Sequence, residues 1–326
     1  MYLLGAVLAI LSGATFALTN ATGRRGVITG TPTQGMVISM PVGLACFLAV
    51  AVLTGAHQNL SRFSTSAFAA LSAAGVLHFV FGRYCNFRAS QAAGVNLTAP
   101  VIQLNSVVTL VLAVVLLREP CTMLQAIGAL LMVTGSLVTQ RSSEPATQRS
   151  LNAPAFRPRV AVGFFFALTA AFAYGTSPII VRQALQDVGP LSGVAGASVA
   201  YVAATVAVAL GLVIPSLRGN VMMVTYENAR WFVYSGIFVA AAHGFLYSAL
   251  AVAPIMVVAP LLQLSLVFRF FFALILNPHH EVFGFVVILG TVVSIAGACA
   301  VAIDTQVILQ ALAIPESLAP FLRSPL

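Results

Sequence analysis

Charge is nearly missing from this chain. Only 7% of its 326 residues are charged, while 60% are hydrophobic and mean hydropathy is +1.02. A soluble domain carries roughly 25% charged residues. Water cannot solvate such a surface, so lipid must. Carboxylates are the scarcest group: Glu119, Glu144, Asp187, Glu227, Glu281, Asp304 and Glu316. All seven fall at expected membrane ends or in loops. A proton-coupled exporter of organic cations needs an acid at mid-membrane, both as countercharge and as proton site. That class is disfavoured. Lysine is absent, and the 15 basic residues are arginines set singly or in pairs between apolar segments. No basic stripe interleaves with aromatics, so nucleic acid is not an expected partner. The four cysteines form no CxxC and read as small buried apolar residues. No Gly-rich phosphate loop, Ser/His/Asp arrangement or pair of catalytic carboxylates stands out. Neither enzyme activity nor a cofactor or metal is expected. The N-terminus lacks a basic n-region, so Tyr2 is read as the start of the first helix.

What remains is a series of apolar runs. A spanning helix needs ~20 largely apolar residues. Ten segments qualify or nearly so: Tyr2–Thr19, Thr33–Leu53, Phe68–Tyr84, Ala92–Leu117, Thr122–Val138, Val160–Val181, Ser192–Pro215, Trp231–Val252, Ile255–Leu276 and Val282–Ile303. The expected fold class is therefore an all-α polytopic membrane protein with ten transmembrane helices. Residues 1–140 form a first five-helix repeat and 160–304 a second. Between them lies a Ser-, Pro-, Arg- and Gln-rich linker, 141–159, and a tail, 305–326, follows.

The two halves repeat each other. Ala99-Pro100-Val101-Ile102-Gln103-Leu104 recurs as Ala259-Pro260-Leu261-Leu262-Gln263-Leu264, shifted by 160. Glu119, Gly128 and Gly135 recur as Glu281, Gly290 and Gly297, shifted by 162. Gly5, Phe16 and Arg24 recur as Gly163, Tyr174 and Arg182, shifted by 158. An odd number of helices per half makes the repeats inverted, related by a pseudo-two-fold axis in the membrane plane. Such a protein can open to either side by exchanging the conformations of its halves. The glycines recur every two helical turns, a spacing suited to close helix packing.

These residues carry a resemblance. Gly82-Arg83-Tyr84, Ala92-Ala93-Gly94, Ala99-Pro100 and Leu117-Arg118-Glu119-Pro120, with the Gly-spaced fifth helix of each half, resemble the EamA-like branch of the drug/metabolite transporter superfamily. The second copy carries His279-His280-Glu281 at the corresponding glutamate turn. The resemblance implies a multi-pass protein of the bacterial inner membrane. It implies export of small metabolites, amino acids among them.

Candidate substrate contacts follow. Pro100 and Pro260 each lack an N–H and disturb the turn before them. Asn96, Pro100 and Gln103 share a helix face, and Pro260 with Gln263 form its thinner counterpart. They line a cavity in one reading. In the other they are interhelical glue worth ~0.6 kcal/mol on average. Arg269, between Phe268 and Phe270, costs about 2.5–3.5 kcal/mol at a membrane centre. It either binds an anion or snorkels to the nearer interface. Arg83 and Tyr84 end the expected third helix, where Arg83 either faces the cavity or anchors at the interface. Asn105, Tyr174, His243 and Tyr247 complete the candidates. His78 and His243 are open to a proton-relay or a packing role. The expected partners are a small-molecule substrate and membrane lipid, with a homodimer left open. The cargo is read as anionic, zwitterionic or neutral. A lipid-linked carrier translocator or scramblase is the alternative from another class.

Orientation divides the two lines of inference. Arginines of the odd-numbered loops outnumber the others, which places the linker inside and both termini outside. The family resemblance implies termini inside.

Overall fold

Every backbone N–H and C=O in lipid needs a partner within the protein, and helices supply it locally. Accordingly, the computed structural model is helical, with no β-strand among the described residues. It describes residues 2–117, 121–141, 157–185, 192–252, 261–262, 264–281, 284–303, 305–311, 315 and 318–324. The helices are α1 Tyr2–Thr29, α2 Pro32–Leu53, α3 Thr65–Gly75, α4 Arg83–Ala93, α5 Val95–Ile102, α6 Asn105–Leu117 and α7 Met123–Arg141. The second half gives α8 Val160–Leu185, α9 Ser192–Gly211, α10 Pro215–Met222, α11 Tyr226–Val252, α12 Ser265–Leu276 and α13 Phe285–Ala302. The short α14 Thr305–Ala311 and α15 Ala319–Arg323 end the chain.

Among the described residues, six helical stretches are long and apolar enough to cross a membrane. A seventh is added if α13 and α14, bent by 120° at their junction, are taken as one. The expected spans at Ile255–Leu276 and Val282–Ile303 fall partly outside the described residues, as does most of the linker.

Local chemistry fixes where helices start. Thr31 caps α2: its hydroxyl accepts from the Gln34 amide at 3.2 Å, and the Gln34 side chain accepts from the Thr31 amide at 2.9 Å. Pro32 takes the first helical position, where a missing N–H costs nothing. The Ser64 hydroxyl starts α3 in the same way.

The third span corrects an expected boundary. It does not end at Tyr84 but runs from Thr65 to Ala93. Arg83 therefore lies well inside a helix, not at an interfacial end. Arg24, Arg25 and Arg88 also lie within helices rather than in loops.

A buried cluster of Met40, Phe47, Phe79, Phe87, Tyr201 and Phe232 ties α2, the third span, α9 and α11 together. Outward-facing residues such as Val52, Val115, Leu130, Phe165 and Leu210 are exposed and apolar, as a lipid-facing surface requires.

The repeated glycines bring α7 and α13 together. A Cβ on Gly128 would stand 2.8 Å from the Gly297 carbonyl, and one on Gly135 would stand 2.5 Å from the Gly290 carbonyl. The pairing runs antiparallel, backbone against backbone. Gly135→Val is therefore expected to destabilise the protein by about 1–3 kcal/mol through overpacking. Thermal unfolding in detergent measures it, and an unchanged midpoint would mean the two helices can part without cost.

Candidate functional site

A cavity of about 820 Å³ opens between the two halves. Its described walls come from α1, the third span, the α5–α6 junction, α8, α9, α11, α12 and the end of α13. Three breaks in helix geometry shape it. Val76–Gly82 is a π-helical stretch inside the third span. Such stretches widen a turn and recur at functional sites. This one carries His78 and Phe79 on the cavity wall. Gly94 is the second break, with φ of 84°. The third lies between α5 and α6, where Leu104 N–H donates to Val101 O and Ser106 N–H to Gln103 O, three residues back instead of four. Pro100 thus sits in a short half-helix with a break on either side.

Six candidates line this one cavity: Arg83, Gln103, Asn105, Tyr174, His243 and Arg269. Arg83 is buried and held. Its Nε donates to Ser39 Oγ at 3.3 Å and an Nη to Ser235 Oγ at 3.1 Å, while Phe87 lies 5.0 Å from the guanidinium. Ser235 in turn donates to Thr19 O at 3.0 Å. Arg269 is different: its Nε is buried and has no hydrogen-bond partner among the described residues. Both guanidiniums face the same space, and no carboxylate lines it among the described residues.

Neutral polar groups complete the wall. Asn86 Nδ2 donates to Asn20 Oδ1 at 3.0 Å and reaches Tyr174 Oη at 3.5 Å. His78 Nδ1 and Ser177 Oγ share a hydrogen bond of 2.7 Å. His243 Nδ1 donates to Val239 O at 2.8 Å, and its ring meets Phe16 edge-on at 5.0 Å. Asn20, Asn86 and Ser177 were not singled out as substrate contacts from the sequence. The available signal was their polarity within apolar helices.

Other candidates sit elsewhere. Tyr84 lies 37% exposed on the outer face and does not line the cavity. Asn96 and Pro100 are buried but lie outside the described lining. Pro260 and Gln263 lie outside the described residues, as does the Tyr247 side chain.

A second polar cluster closes one end of the helix bundle. Arg24 of α1 meets Glu281, Nε to Oε1, at 3.2 Å, with side-chain exposures of 2% and 0%. The same carboxylate accepts the first amides of α5, Val95 at 2.9 Å and Asn96 at 3.0 Å. A helix N-terminus favours an anion there. Arg24 also donates to the Ser90, Gln91 and His280 carbonyls. One ion pair thus joins α1, the end of α4, the start of α5 and the turn before α13. At Gly94 any side chain would both strain the positive φ and strike the carboxylate, 2.5 Å from a Cβ. In that turn, partial burial and then Arg24, Arg25 and His279 hold His280 below the usual imidazole range. His279-His280-Glu281 does not converge on one point: His279 is exposed, while Glu281 is buried and turned to Arg24.

No curated protein matches this sequence. One solved crystal structure has a similar fold over 95% of this chain and 97% of its own, with a TM-score of 0.54 at 17% identity. Residues 3–140, somewhat under half of the chain, match the model of the EamA-like transporter family.

Proposed function

We propose that the protein is a secondary transporter that carries a small organic anion by alternating access across the inner membrane. The observation that carries this reading is the convergence of Arg83 and Arg269 on one central cavity with no described carboxylate beside them. Holding two cations inside the membrane, Arg83 buried and Arg269 half-buried, is costly unless a ligand neutralises them. An anionic cargo does so on each cycle.

Helix packing supports the alternating part. The axis that exchanges Gly128 with Gly290 and Gly135 with Gly297 also exchanges the contacts Gly128–Gly297 and Gly135–Gly290 with each other. Around them, α1 packs on α11 and α12, while α8 packs on the third span and on α5 and α6. These pairings are consistent with an inverted repeat and support that reading.

The test is a thermal-shift panel on purified protein. A bound ligand at 100 times its Kd stabilises by about 2.7 kcal/mol. Small organic anions are expected to raise the midpoint and organic cations to leave it in place. Stabilisation by cations alone would overturn the proposal. Counterflow of a stabilising anion in proteoliposomes then checks transport; binding without flux would leave a receptor, not a carrier.

A further inference from the structure

We infer that the cargo is a hydrophobic carboxylate that lacks an ammonium group, rather than an amino acid. The inference deepens the proposed anion transport and rests on it.

An amino acid zwitterion needs two kinds of partner. Its carboxylate suits Arg83 and Arg269. Its ammonium needs an acceptor, and the strong ones are carboxylates. None lines the cavity among the described residues, and residues 253–263 contain none in sequence. Glu281, a described acid buried in the bundle, is already committed to Arg24 and to two amides. Glu227 lies at the exposed start of α11 beside Arg230. Neutral acceptors do not fill the gap. Asn20 Oδ1 already takes the Asn86 amide, and Asn86 Oδ1 is a neutral amide oxygen. A neutral amide cannot offset the repulsion of an ammonium held among two guanidiniums. Removing the ammonium removes that conflict and leaves the anion contacts whole.

The apolar part of the lining sets the body of the molecule. Phe16, Leu71, Phe79, Leu110, Leu246 and Leu262 face the same space. They offer nothing to a second charged group or a polyol. They would bury a branched alkyl or aryl group, which is where binding energy beyond the charge contact comes from.

Matched pairs test this directly. Purified wild-type protein is titrated with 3-phenylpropionate and phenylalanine, then with 4-methylpentanoate and leucine, following thermal stability. The same compounds are run in counterflow. The carboxylic acid of each pair is expected to bind at least tenfold more tightly than its amino acid. Acetate, which has no apolar body, is expected to bind at least tenfold more weakly than 3-phenylpropionate. Phenylalanine binding as tightly as 3-phenylpropionate would overturn the inference and leave anion transport standing. Acetate or inorganic phosphate outcompeting 3-phenylpropionate would overturn the hydrophobic part. A response to phenethylamine alone would overturn both this inference and the anion reading beneath it.

Discussion

Glu281→Ala is expected to lower the free energy of unfolding by about 3–5 kcal/mol, the usual cost of removing one partner of a buried ion pair. The magnitude follows from what stays behind. Arg24 is 2% exposed, so its guanidinium keeps its charge without a countercharge or free access to water. The Val95 and Asn96 amides lose their acceptor at the start of α5. An unsatisfied buried donor adds ~1–3 kcal/mol unless water enters. Glu281→Gln keeps the shape and one carbonyl acceptor, so its loss should be smaller. The paired change Arg24→Leu with Glu281→Leu removes the stranded charge. It should recover a large part of the deficit, because apolar replacement of a whole buried pair is often neutral. Unfolding midpoints of Arg24→Leu, Glu281→Leu and the pair, compared as a cycle, give the coupling directly. A loss below about 1 kcal/mol for Glu281→Ala would mean the pair is hydrated and holds nothing together.

That ion pair shows how far the sequence could be read. Both charges were visible as repeated features, Arg24 with Arg182 and Glu281 with Glu119. Their partnership was not, because 257 residues separate them and no local pattern encodes the contact. Glycine spacing was more legible. A glycine every second turn implies a close neighbour, and here the neighbour is the repeated glycine of the other half. The third span extends past the end that hydropathy predicts for a clear reason. Hydropathy reports what faces lipid, and Arg83, Asn86 and Gln91 face protein instead. Arg83 reaches Ser39 and Ser235, Asn86 reaches Asn20, and Gln91 donates to the Val27 and Gly30 carbonyls. The helix continues where its apolar pattern stops. The π-helical stretch at Val76–Gly82 left no mark in composition, since its residues are as apolar as their neighbours.

Arg269→Gln is expected to abolish anion uptake while leaving the empty protein as stable as before, or more stable. The two effects have one cause. A half-buried arginine held inside the membrane without an anion is a cost the fold carries for function. Its Nε has no described partner, so glutamine removes charge without breaking a hydrogen bond from that atom. Arg83→Gln should lose uptake as well, but it also cuts the links to Ser39 on α2 and Ser235 on α11. Its unfolding midpoint should therefore fall. A hydrogen bond to a charged group is worth ~1.5–3 kcal/mol, which corresponds to roughly 10- to 150-fold in affinity for each arginine. Arg83→Lys should not rescue it, because an ammonium cannot reach two hydroxyls and an anion with one planar fork. If both arginines hold one carboxylate, the double variant should lose less than the product of the single losses. Affinities from thermal shift and initial rates from counterflow separate these terms. Full additivity would place the two arginines at separate anion contacts, and unchanged uptake in Arg269→Gln would take that residue out of the site.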